Sequence, residues 1–236
     1  MGLPALLFLL LPLQSSQPAT AADWKTIGME NAAAKKLQAS LVAFEKACDL
    51  DPRDEDSCYY FARTLFTLDR WEKAREPFNK ALQAASRSKL ARVHRAIALN
   101  FLGLGNTAEA ERHFRQAVIH NPGSDLLRED PRIDYGSVLF RQGRLEEALP
   151  MLKEAARATP GSARAHTELG RVVLHLGKPD AAAVSLEKAV NLDPRSSTAR
   201  LLLGRTYLQL GRVEDGKRQL QLAREAGAAA GSSTVR

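Results

Sequence analysis

Residues 163–196 read ARAHTELGRVVLHLGKPDAAAVSLEKAVNLDPRS, and this stretch decides the fold. Its first half places apolar side chains at Leu169, Val172, Val173 and Leu176, its second at Leu186, Ala189 and Val190. Intervals of three and four residues lay such side chains along one stripe of an α-helix, so each half is an amphipathic helix. Between them, Gly177-Lys178-Pro179-Asp180 supplies a glycine that ends one helix and a proline suited to the first turn of the next. The chain must fold back as a hairpin. Asp193-Pro194 then closes the unit, because the residue before a proline is pushed out of the helical region.

The same pattern recurs on either side at a spacing of 34 residues without gaps. Tyr135-Gly136, Leu169-Gly170 and Leu203-Gly204 fall in register, followed by Leu139, Val173 and Tyr207 and by the turn glycines Gly143, Gly177 and Gly211. Downstream, Ala148, Ala182 and Gly216 are each followed by Leu152, Leu186 and Leu220, then by Ala155, Ala189 and Ala223. Pro160 and Pro194 end two units, and Ala228 stands where the third would have its proline. A single hairpin leaves an apolar face uncovered, so such units must stack in arrays. The small residues let helix backbones approach, and the Leu or Phe between them fills the remaining space.

The pattern resembles the tetratricopeptide repeat family, whose signature is W-x2-L-G-x2-Y, then A-x3-F, then P over about 34 residues. The resemblance extends upstream. Ile97-Ala98, Phe101, Gly105, Ala110, Phe114, Ala117 and Pro122 make one more unit, with an insertion around Leu126 to Pro131 after it. Phe61-Ala62, Leu65, Ala74, Phe78 and Ala81 make another, in which Asp69 replaces the turn glycine and Ser86 the proline. The first unit departs furthest: it keeps Trp24, Ile27-Gly28, Phe44, Ala47 and Pro52, but has Lys35 at the turn and Ser40 where alanine is usual. The resemblance implies an all-α, right-handed superhelical solenoid of about six helix-turn-helix repeats over residues 22–227, near 21–54, 55–88, 91–124, 129–162, 163–196 and 197–228. Residues 229–236, small and polar, are expected to form a disordered tail. Pro77 and Pro150 interrupt second helices and are expected to bend them on the outer surface.

Residues 1–21 carry no charged side chain, and Leu3–Leu13 form an apolar run too short to span a bilayer. With Ala19-Thr20-Ala21 behind it, the segment reads as a signal peptide cleaved after Ala21, although the usual basic residues before the run are missing. An exported, periplasmic or extracellular protein without a stable membrane span is the expectation. The alternative is a buried or interfacial N-terminal segment. Cys48 and Cys58, the two cysteines of the chain, could be oxidised in such a compartment or could serve as two small buried hydrophobes. Two thiols without a histidine cluster cannot supply the four ligands of a structural zinc site.

In the family the resemblance points to, the first helix of each unit lines a concave groove. Carried onto this chain, that register holds Arg63, Arg171 and Arg205 just after the small residue, Lys25, Tyr59 and Arg95 three before it, Arg92 and Arg164 six before it, and Arg141 and His175 five after it. These ten residues are the candidate peptide-binding groove. Guanidinium groups suit carboxylates, so an acidic or extended peptide segment of a protein partner is the implied ligand. The other reading is that Glu168, four after Arg164 and three before Arg171, merely pairs with them on a solvated surface. Family members that clamp a terminal carboxylate use a Lys and Asn set whose asparagines are absent from these registers, so that specificity is not implied.

The net charge of +7 marks an anion-attracting surface without naming the anion. Nucleic acid is not the expected partner: aromatics for base stacking are few, at 6%, and an export signal separates the protein from it. The sequence carries no catalytic, cofactor-binding or metal-ligating motif. His94, His113, His120, His166 and His175 lack metal-ligand spacing, and neither G-x-S-x-G nor a phosphate-binding glycine loop occurs. Gly103-Leu104-Gly105 belongs to a helix end. A non-enzymatic protein-binding scaffold, adaptor or structural subunit of an envelope-associated assembly follows.

Overall fold

The computed structural model describes residues 20–121 and 130–232. Among these the chain forms twelve α-helices and no strand, divided between two compact units, Met1–Ala84 and Ala85–Arg236. The first unit holds α1 (Ala21–Ala33), α2 (Leu37–Leu50), α3 (Ser57–Thr67) and α4 (Trp71–Ala84). The second holds α5 (Leu90–Gly103), α6 (Thr107–Ile119), α7 (Pro131–Arg141), α8 (Leu145–Ala158), α9 (Ala163–His175), α10 (Pro179–Leu192), α11 (Ser197–Gln209) and α12 (Val213–Ser232). In both units each odd-numbered helix packs on its successor as a hairpin, and hairpins stack in chain order, α2 on α3 in the first and α6 on α7, α8 on α9 and α10 on α11 in the second.

What closes each hairpin is a small residue facing a large one sixteen positions later. A methyl group on Gly170 would stand 2.5 Å from Leu186 Cγ, so only glycine lets α9 and α10 approach this closely. Gly28 with Phe44, Gly136 with Leu152 and Gly204 with Leu220 repeat the arrangement. Ala62 with Phe78 and Ala98 with Phe114 occupy the same register, all four side chains being at most 1% exposed. Ser40, which replaces the expected alanine, donates its hydroxyl to the Gly28 carbonyl at 3.0 Å, so its polar group is satisfied inside the core.

The turns are uniform despite their sequences. Gly105, Gly143, Gly177 and Gly211 take φ between 71° and 75°, and Lys35 and Asp69, standing where glycine is missing, take 58° and 56°. Neighbouring packing thus holds even these side-chain-bearing residues in the left-handed region that glycine adopts without strain.

Pro77 is buried in unbroken α4 rather than on the outer surface, while Pro150 is exposed on α8. The helix expected to end near Gly227 continues to Ser232, since Ala228, Ala229 and Ala230 are strong helix formers, and only 233–236 of the expected tail lie outside the described residues. The apolar run of the expected signal peptide, the Pro122 that closes the third unit, and most of the insertion lie outside them too. Thr20 and Asp23 form a capping box at the start of α1, and cleavage after Ala21 would remove its threonine.

Cys48 on α2 and Cys58 on α3 are joined by a disulfide that ties the first hairpin to the second, both residues being fully buried. A cross-link closing so short a loop restricts the unfolded chain by about 2–3 kcal/mol. Cys48→Ser combined with Cys58→Ser is therefore expected to lower the unfolding free energy by about that amount. Denaturant titration with and without reductant measures it, and the reduced wild type should fall to the level of the double variant.

Candidate functional site

In the second unit the first helices α5, α7, α9 and α11 neighbour one another in order. Stacking brings their outer stripes side by side, where the sequence places its candidate residues. Between α5, α7 and α9 lies a cleft of ≈ 270 Å³ with Leu99, Leu102 and Val138 as its apolar lining and Arg141, Arg164 and Arg171 around them. That volume suits one or two side chains of an extended segment. A second cleft adjoins it across α9, lined by Arg164, Thr167, Glu168 and Arg171 together with Asp193 and Ser196 from the α10–α11 turn.

The electrostatics are less one-sided than the arginine pattern implies. Asp134 on α7, with a side chain only 6% exposed, is bracketed by the guanidinium groups of Arg95 on α5 and Arg164 on α9. This bridge crosses three successive hairpins, and its arginines neutralise a carboxylate that burial would otherwise penalise. Arg171 stands 3.4 Å from Glu168 and over the ring of Phe140 at 5.8 Å, and His175 meets that same ring edge-on at 4.9 Å. The pairing of Arg164 with Glu168 weighed from spacing gives way to Asp134, a partner 30 residues away. Arg92 is half-buried on α5, and Arg205 is exposed on α11. Arg141, Arg164 and Arg171 thus share one cleft, Arg95 supports it through Asp134, and His175 flanks Arg171.

In the first unit the candidates are used differently. Lys25 on α1 forms an ion pair with Asp54 at 2.9 Å, in the connection between α2 and α3. Arg63 is exposed on α3. Tyr59 is buried, its ring packed edge-on against Phe78 and Tyr60, so this groove candidate is a core residue. The position three before the small residue is likewise buried at Ile133 and Thr167, so this register faces inward in several hairpins.

Sequence spacing missed a histidine cluster on the α5–α6 hairpin. His94 and His113 place their Nδ1 atoms 3.0 Å apart, His120 stacks on His94 at 5.9 Å, and Phe101 stacks on His113 at 5.6 Å. The two ring centroids lie 5.2 Å apart, so the nitrogens point almost straight at each other. That is the geometry of an N–H···N hydrogen bond. Among the described residues no group of three His, Cys, Asp or Glu side chains is arranged to hold a metal. The signal that could have found the pair is their position on facing stripes of one hairpin.

Burial, with the nearby charges of His113, His120 and Arg112, pushes the His94 pKa down from the ordinary 6.5 to about 4. His113 is lowered in the same way, by burial and by Arg112, with Glu109 opposing. The sign follows from which state takes up protons. Between about pH 6.5 and 4 the unfolded chain protonates His94 while the folded chain does not, so stability is full above that window and lost as pH falls through it. Urea unfolding at pH 7 and pH 4.5 should give a loss that His94→Gln reduces; an identical loss in the variant would assign the acid sensitivity elsewhere.

Residues 133–190 and 173–230 match two models of the tetratricopeptide repeat family. Among curated proteins, the human antiviral innate immune response effector IFIT1 is 23% identical over 145 residues, covering 58% of this chain. The chain spans only 29% of that relative's length. Among solved structures, PilW, described as a widely conserved type IV pilus biogenesis factor, superposes with a TM-score of 0.71 at 21% identity over 84% of this chain and 90% of its own. YrrB, described as a repeat protein with an unusual peptide-binding site, gives 0.58 at 23% identity over 78% and 92%. These likenesses establish the helical-repeat fold.

Proposed function

Taking residues 133–230 as tetratricopeptide repeats, we propose that the protein is a non-catalytic interaction scaffold that holds an extended, acidic segment of a protein partner on the first-helix face of its second unit. The observation that carries this reading is the cleft in which Leu99, Leu102 and Val138 lie beneath Arg141, Arg164 and Arg171. An apolar side chain of the partner seats on the lining, and an acidic neighbour meets the arginines. The acids Asp134, buried, and Glu168, half-buried, offset part of this charge, so the ligand is a segment with spaced acids and not a dense polyanion. Arg141, exposed at the cleft, and Arg205, exposed on the neighbouring first helix α11, attract it.

The compartment we infer is an oxidising one, reached through the leader read in residues 1–21. The buried Cys48–Cys58 bond supports it, because such bonds persist outside reducing cytosol. RNA is the alternative suggested by the solved complex of human IFIT1 with m7Gppp-AAAA, whose identity of 19% carries the fold alone.

Arg141→Glu with Arg205→Glu tests the reading at two exposed positions where stability should change by no more than about 0.5 kcal/mol. Binding of an immobilised extended peptide with alternating Glu and Leu should weaken at least tenfold, mainly through the association rate and with a flatter salt dependence. Undiminished binding rejects this face as the binding surface.

A further inference from the structure

Two polar atoms in the wall between the clefts are shielded from solvent and have no hydrogen-bond partner, Glu168 Oε2 and Arg171 Nε. Their residues sit one turn apart on α9 and line both clefts. The side chains are 12% and 28% exposed, and the 3.4 Å contact between their other atoms is long for a charged pair. Leaving a donor and an acceptor buried without partners is costly, and native proteins keep few of them.

We propose that Glu168 and Arg171 form an amide-reading subsite, an inference that rests on the peptide-binding reading above. A ligand N–H donates to Glu168 Oε2, and a ligand C=O beside it accepts from Arg171 Nε. The chemistry selects a neutral donor–acceptor pair: a carboxamide side chain offers N–H and C=O side by side, and so do the N–H and C=O of one residue in an extended segment, whereas a single trans peptide group points them apart. A carboxylate would satisfy Arg171 but set a like charge against Glu168, and an ammonium group would reverse the fault. Entry requires Arg171 to slide across Phe140 and exchange its long contact with Glu168 for the ligand. Flanking the amide, Arg141 meets an acid and the Leu99–Leu102–Val138 lining an apolar side chain. The pair belongs either to one main-chain residue of the extended segment or to the carboxamide of an Asn or Gln side chain.

Panning a phage library of random dodecapeptides on the full chain supplies a probe. The tightest peptide is resynthesised with an N-methyl group at each main-chain position in turn, and with each Asn or Gln changed to Asp or Glu. Binding is measured by fluorescence anisotropy on wild type, Glu168→Ala and Arg171→Lys, with helicity checked by circular dichroism; the lysine variant decides if the alanine variant does not fold. One modification should cost wild type tenfold or more in affinity and cost the variants twofold or less. A sensitive N-methyl position assigns the amide to the main chain, and a sensitive carboxamide assigns it to a side chain. Peptides that bind with no sensitive position, or with sensitivity unchanged in the variants, overturn the amide subsite while leaving the peptide-binding reading standing. A library that yields no binder removes both.

Discussion

The interaction on which the structure depends is the interlock of a small residue on the first helix of each hairpin with a Leu or Phe on the second. At Gly170 the space for even one methyl group is taken by Leu186. Close approach lets the helices bury the alanines at their contacts, among them Ala182, Ala189 and Ala199 at no exposure. A chain with few aromatics thereby builds a dense core, since packing contacts accumulate with proximity more than with side-chain size. Because the interlock fixes how each hairpin is turned, it also fixes which stripe of each first helix faces outward, and so where the arginines stand.

Placing the charged stripes of successive hairpins side by side has an electrostatic consequence. Like charges accumulate in one register, and the second unit answers with acids between them: buried Asp134 between Arg95 and Arg164, half-buried Glu168 beside Arg171. A related cluster joins Glu111 to Arg115, Arg144 and the Tyr135 hydroxyl, where the arginines hold the Glu111 carboxyl below its usual range. The face is better described as alternating charge over an apolar floor than as a basic channel. On the proposed peptide-binding reading, a segment of defined pattern is favoured over any polyanion, because misplaced acids meet Asp134 or Glu168.

The repeat was legible because it is local: Gly177 at a turn, Pro194 at a boundary and Leu186 on a stripe each have one physical explanation within a few residues. Lys35 and Asp69 hid two turns from a glycine pattern, yet packing imposes the same backbone on them. The grouping of Arg141, Arg164 and Arg171 was likewise readable from their register. Their partners were not, because Asp134 is separated from Arg95 by 39 residues and from Arg164 by 30, and only stacked hairpins bring them together. Tyr59 shares a register with Arg95 but points into the core toward Phe78, a choice made by its neighbours. The His94–His113 contact was hidden in the same way, across a hairpin and without a recognisable spacing.

A double-mutant cycle on Gly170 and Leu186 addresses the interlock most directly. Gly170→Ala alone should destabilise by about 1–3 kcal/mol through overpacking, and Leu186→Ala alone by about 2–5 kcal/mol through the cavity it leaves. In the double variant the new methyl group enters the vacated space, so the combined loss should fall short of the sum by about 1 kcal/mol or more. Losses that add without coupling would mean that the two residues do not hold the hairpin together, and the account of the fold would fail with them.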